Sequence, residues 1–157
     1  MRTNILLFFI LVLSVSCRDV GEISPYQRIE GNYTYAFEVT SWGGTAYILE
    51  NKFSFKADGT FSREDLTFDA ETNEVLGYSS IYSGTYSFSD MNLIVNYSDP
   101  LIMALTDIYY MPKEGLEVME GNFTDTYSIS DDFSRLIYIC PSTPYCGPDR
   151  PFLKETP

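Results

Sequence analysis

Histidine is absent from the 157 residues, tryptophan occurs once and cysteine three times, and ten lysines and arginines stand against 22 aspartates and glutamates. Without histidine there is no Ser-His-Asp or Cys-His arrangement and no imidazole to ligate a metal, so hydrolases of the usual kind are excluded. The shortage of basic side chains excludes a second class. Binding to a phosphate backbone depends on lysine and arginine displacing counterions, and a chain of net charge −12 repels it instead. A membrane-spanning run is missing too. From Ile5 to Val15 the residues are apolar except for Ser14, but a helix needs roughly 20 such residues to cross a bilayer's hydrocarbon. No D-x-D-x-D-G spacing marks a calcium loop.

The short run carries Arg2 ahead of it and no acid, the layout of an export signal. It ends in Ser14 and Ser16, directly before Cys17 and the polar "CRDVGE". This resembles the bacterial lipoprotein signal, in which a cysteine thiol is diacylated and becomes the new N-terminus. The family prefers Leu three places before the cysteine, where this chain has Ser14, with Leu13 one place earlier. The resemblance implies a signal peptide at 1–16, lipidation at Cys17, a lipidated N-terminus and tether at 17–30, and membrane contact through the lipid. The protein is then exported and lipid-anchored in the bacterial cell envelope, at the outer membrane or cell surface rather than the inner membrane. An ordinary cleaved signal with an incidental cysteine is the alternative. Removing residues 1–16 leaves nine basic against 22 acidic residues, a net charge of −13 on a length that suits one domain.

The rest of the chain reads as strands. "NYTYAFEVT" alternates strictly, with Tyr33, Tyr35, Phe37 and Val39 on one side. "KFSFKADGTFSRE" reads as a hairpin turning at Ala57-Asp58-Gly59, which sets Phe55 opposite Phe61 and Phe53 opposite Arg63. Leu66 and Phe68 fall on the opposite phase from Phe61, so the strand needs a bulge near Glu64 and Asp65 or ends there. "YSGTYSFSDMNLIVNY" pairs Phe88 with Leu93, Tyr86 with Val95 and Gly84 with Tyr97. The apolar run at residues 101–111, set between Pro100 and Pro112, reads as a buried strand, with a short helix as the alternative. "GLEVMEGNFTDTYSIS" and "RLIYIC" supply two more strands. About eight strands in up-and-down order predict an all-β, single antiparallel barrel over residues 31–140, because closure removes exposed edges.

Paired carboxylates could serve a glycosidase, and Glu64-Asp65, Glu117-Glu120 and Asp131-Asp132 qualify by type. The last pair sits at a hairpin turn, where aspartate is favoured for local hydrogen bonding, and a solvated turn is the commoner explanation. Sequons at Asn32, Asn96 and Asn122 are accidents of strand composition in a bacterial lipoprotein. Once Cys17 is lipidated, Cys140 and Cys146 are an even pair in an oxidising compartment, and parity favours a disulfide between them. The proline-rich tail at 141–157 cannot continue a central strand and is expected to run over the surface as an extended arm.

Gly31-Asn32-Tyr33 heads the first strand and resembles the lipocalin opening Gly-x-Trp, with tyrosine in place of tryptophan. "FSFKADGTF" and "GTYSFSDMNLIV" look like hairpins of bacterial lipocalin-like lipoproteins, and the resemblance spans Gly31 to Cys140. Arg135 is the candidate for the family's arginine that packs on that aromatic near the last strand. The resemblance implies a small barrel whose open end holds an apolar molecule: a binding protein rather than an enzyme, needing no cofactor. The ligand-binding candidates are the aromatics of the strand faces, Tyr35, Phe37, Phe55, Phe61, Tyr86 and Phe88, for which plain core is the competing reading. The alternative function is a structural or protein-interaction lipoprotein, an inhibitor among the options, with a solid barrel.

Overall fold

The computed structural model describes residues 23–104, 108–141 and 151–156. The expected signal peptide, Cys17 and Cys146 lie outside the described residues, and so does the middle of the apolar run, 105–107.

The described chain opens on α1 (Pro25–Ile29), a helix set by its start signals. The Ser24 hydroxyl accepts from the Gln27 backbone N–H, the Gln27 side chain accepts from the Ser24 N–H, and Pro25 sits where a missing N–H costs nothing. Five residues do not hold a helix by propensity alone. Packing holds it: Ile29 is fully buried, and the Tyr26 ring meets Tyr86 and Phe88 at centroid distances of 5.4 and 5.0 Å. The segment expected to be tether up to residue 30 therefore ends in a plug.

The strands among the described residues are β1 (Gly31–Thr40), β2 (Ala46–Phe55), β3 (Thr60–Asp69), β4 (Val75–Ser89), β5 (Asn92–Ser98), β6 (Leu101–Ile102), β7 (Glu117–Val118), β8 (Asn122–Ile129), β9 (Arg135–Tyr138) and β10 (Pro151–Lys154). Neighbours run β3-β2-β1-β10-β9-β8-β5-β4, and β4 pairs back onto β3, so eight antiparallel strands close a barrel. The expected all-β, up-and-down barrel is the fold. The hairpin registers also hold: Phe55 faces Phe61, Phe53 faces Arg63, and Phe88, Tyr86 and Gly84 face Leu93, Val95 and Tyr97. In the β2–β3 turn Gly59 takes φ +86°, while the Asp58 carboxylate accepts from the Thr60 N–H and hydroxyl at 2.9 and 2.6 Å.

Four expectations are corrected. The tail is not a surface arm: β10 lies between β1 and β9, pairing Tyr33 with Lys154 and Phe152 with Leu136. Its only proline, Pro151, is the first residue of the strand, where a missing N–H is tolerated. The barrel thus extends beyond 31–140. The described residues of 101–111 form neither one strand nor a helix. Asp99, at φ +42°, and Pro100 break the chain after β5, and only Leu101 and Ile102 resume pairing along β4. Farther on, Met111 bridges Tyr78 through two backbone hydrogen bonds of 2.9 Å. That approach needs Gly77, because a Cβ there would lie 2.6 Å from the Met111 carbonyl oxygen. The irregularity near Asp65 belongs to β4, which carries Ser79 as an extra residue, while β3 continues and turns Leu66 outward. Finally, the cation over Tyr33 is Lys154 of β10, its Nζ 5.5 Å from the ring centroid and donating to the Arg28 carbonyl at 2.7 Å, whereas Arg135 is exposed.

Closure by β10 is tested through Phe152, which is buried against Phe53 at 5.1 Å and against Tyr35 and Tyr127 at 6.0 Å. Phe152→Ala should destabilise the fold by roughly 3–5 kcal/mol in urea unfolding, as for a core phenylalanine. A loss below about 0.5 kcal/mol, the value for a surface position, would contradict this placement.

Candidate functional site

The barrel interior divides into two halves along the strands. On β1, β2 and β3 the odd-numbered residues from Tyr33, Phe53 and Phe61 onward point inward. Near α1 these positions are buried: Tyr33, Phe53, Phe55, Phe61, Tyr86, Leu93 and Leu136 form one packed cluster. Phe55 stacks on Phe53 at 5.1 Å and meets Tyr86 edge-on at 5.1 Å. The Tyr33 hydroxyl donates to the Phe133 carbonyl at 2.6 Å, and that of Tyr86 donates to the Lys56 carbonyl. The structure therefore places three of the six sequence-derived ligand candidates, Phe55, Phe61 and Tyr86, in this core, with Phe88 partly buried beneath Tyr26 at its α1 end.

Toward the opposite end the inward positions open. Tyr35 and Phe37, stacked at 5.3 Å, are only partly buried, as is Tyr82. Phe123 and Tyr138, inward neighbours of Tyr97 and Tyr127, are 41% and 38% exposed. Tyr109 and Tyr110, ahead of β7, cover part of this end, where the Thr67 hydroxyl donates to the Tyr109 carbonyl at 2.7 Å and Tyr47 meets the Tyr109 and Tyr110 rings.

Between the halves lies a polar floor. Arg63 donates two hydrogen bonds to the Asp65 carboxylate, at 2.8 and 3.0 Å, and the Ser80 hydroxyl donates to the same carboxylate at 2.7 Å. The guanidinium carbon lies 5.2, 5.1 and 5.8 Å from the ring centroids of Phe53, Tyr82 and Phe152. Burial opposes its charge, but the attraction and hydrogen bonds of Asp65 outweigh burial, and the arginine pKa is raised. Tyr97 and Tyr127 meet through their hydroxyls at 3.3 Å beside it. Burial raises both, Tyr97 strongly and Tyr127 to about 12.

Sequence reasoning missed this pair as a site, although Arg63 had been set opposite Phe53. The signal was present: Arg63 and Asp65 share the inward phase of Phe61 and Thr67, and charge on an apolar phase demands a partner. The other acidic pairs do not converge. Glu64 points away from Asp65, Glu117 and Glu120 are exposed, and Asp132 structures its turn by accepting from Ser130 and Ser134, bonds that hold it well below the ordinary carboxylate range. Among the described residues no group of three or more acidic or cysteine side chains is placed to hold a metal ion.

Compared with family models, with curated proteins and with solved structures, the chain matches none.

The buried tyrosines give a pH dependence. Tyr33, Tyr97 and Tyr127 have folded pKa values above the ordinary value of 10, so their contribution to stability is intact below pH 10. It is lost as pH rises from there through about 12. Absorbance at 295 nm should show a buried group among the 13 tyrosines ionising only as the far-UV signal collapses. All 13 ionising near pH 10 with the fold intact would refute the packing described.

Proposed function

We propose that the protein is an exported, lipid-anchored, lipocalin-like barrel that binds a small apolar molecule through the end away from α1. One observation carries the reading: on the same strands, inward aromatic side chains pass from fully buried at the α1 end to partly exposed at the other. In this reading the partly exposed aromatics line a recess above a small set of desolvated polar groups, the usual make-up of a ligand site. Tyr35 and Phe37 line its wall, joined by Tyr82 and Tyr138, over Arg63 and Tyr127. In this reading the protein is a binding protein, not an enzyme, and uses no cofactor and no nucleic acid. The Cys140–Cys146 disulfide belongs to the same picture of an oxidising envelope compartment. The anchor at Cys17 lies eight residues before Pro25. At no more than roughly 3.6 Å per residue, the α1 end stays within about 29 Å of the bilayer and the recess faces away from it.

The alternative, an interaction lipoprotein, draws support from Trp42, fully exposed at the β1–β2 turn, and from exposed Ile108 and Val118 near the same end.

Binding of the neutral fluorophore N-phenyl-1-naphthylamine separates the two. Tyr35→Ala and Phe37→Ala should weaken it about tenfold while costing little stability. Phe55→Ala should cost roughly 3–5 kcal/mol of stability instead. No binding to the folded protein, or equal sensitivity to all three changes, hands the case to the interaction reading. Where the probe binds with the expected sensitivity, native mass spectrometry of protein purified from its own envelope identifies the ligand. Independently, Cys17→Ser should move the protein from the membrane to the soluble fraction, because stable anchoring needs the acyl chains. Unchanged membrane partitioning of that variant would remove the anchor from the account.

A further inference from the structure

Beside α1, at the end of the barrel away from the recess, lies a cleft of about 320 Å³. Its walls are apolar: Pro25 of α1, Phe88 of β4, Met91 of the β4–β5 turn, Ile129 of β8 and Phe133 of the β8–β9 turn. Charge enters only at the rim, through Arg28, Asp90 and Asp131. Arg28 is already committed, its guanidinium 4.1 Å over the Phe133 ring and donating to the Asp131 carbonyl. The two carboxylates are not: among the described residues neither Asp90 nor Asp131 joins an ion pair or a side-chain hydrogen bond.

We propose that this cleft binds a small lipophilic cation, an alkylammonium or arylalkylammonium, with its hydrocarbon against Phe88, Met91 and Ile129 and its ammonium beside Asp90 and Asp131. The volume fits one small molecule. The walls have no hydrogen-bonding demand, so the hydrocarbon part is read by area alone. The charge preference comes from the rim and from the net charge of −12, which concentrates cations at the surface. Arg28 over Phe133 shows that the aromatic part of the wall accepts a cation on its face. An anion of the same shape would meet two carboxylates whose charge nothing in the cleft offsets beyond the single guanidinium. Discrimination by charge between equal hydrocarbon chains is therefore the signature of this site. It is separate from the recess inside the barrel and does not depend on it.

The test uses decylammonium and decanoate below their micelle-forming concentrations, with protein carrying ¹³C-labelled methionine methyls. Decylammonium should shift the Met91 methyl resonance in a saturable way, and decanoate should not. Met111 lies near the other end of the barrel and should stay still. The double variant D90N/D131N should weaken decylammonium about tenfold and narrow the preference over decanoate. Asn is accepted at position 90, where the backbone has φ +55°, so the turn survives the change. A Met91 resonance unmoved by decylammonium would overturn the proposal, as would equal binding of decanoate or wild-type affinity in the double variant. A shift of Met111 in place of Met91 would place the cation at the other end of the barrel and equally reject the cleft.

Discussion

Everything in this protein rests on closing a sheet whose first and last strands lie far apart in the chain. A strand edge left open presents unpaired N–H and C=O groups, and a barrel removes that liability only when its last gap is bridged. Here the bridge is β10. Pairing on both sides holds it, and so do the polar groups that follow Phe152. Lys154 reaches the Arg28 carbonyl, while the Glu155 carboxylate accepts from Asn32, Thr34 and Lys52 on the outside of the first two strands. The Lys52–Glu155 pair is about one-third exposed, so its ionic part contributes little. The convergence of three donors on one carboxylate matters more for fixing register. Because Lys154 also touches the end of α1, the plug and the closing strand support each other.

The interior shows how few polar groups such a barrel tolerates. Arg63 and Asp65 are two residues apart on one strand, so the pleat directs both inward and brings their charges together without any tertiary search. The pair does not by itself make the barrel stable, since removing two ions from water costs about as much as their attraction returns. Removing one partner is another matter, because it strands the other as an uncompensated charge. The aromatic faces around the guanidinium and the Ser80 hydroxyl on the carboxylate complete the coordination that water would otherwise give.

Legibility followed locality. The β2–β3 and β4–β5 hairpins could be read residue by residue, because their registers are dictated by short turns with Asp58-Gly59 and Asp90-Met91 at the bend and by period-two alternation. What failed was non-local. Nothing around Phe152 announces a strand, since prolines dominate its surroundings and the pairing of Leu153 and Lys154 that closes the barrel is with β1, more than a hundred residues away. The run after Pro100 misled for the opposite reason: its apolar, strand-forming composition promised a ladder, but β4 pairs only Ser80 and Ile81 with it, followed by one further hydrogen bond from the Met103 N–H to the Ser79 carbonyl. The aromatic faces were identified correctly as inward. Which of them are core and which line the recess depends on where α1 sits, and that placement is carried by the Ser24 cap and the burial of Ile29 rather than by any strand pattern.

Trp42, at the tip of the β1–β2 turn, is the molecule's single tryptophan and is fully exposed. Its emission in the native state already reports bulk water, so unfolding changes its surroundings very little. Intrinsic tryptophan fluorescence would therefore be nearly blind to the barrel's cooperative transition, which must be followed through tyrosine absorbance or circular dichroism. The same placement makes the indole a natural reporter for the far end of the barrel: anything that settles against that turn withdraws it from water and shifts its emission to the blue while the core signal stays constant.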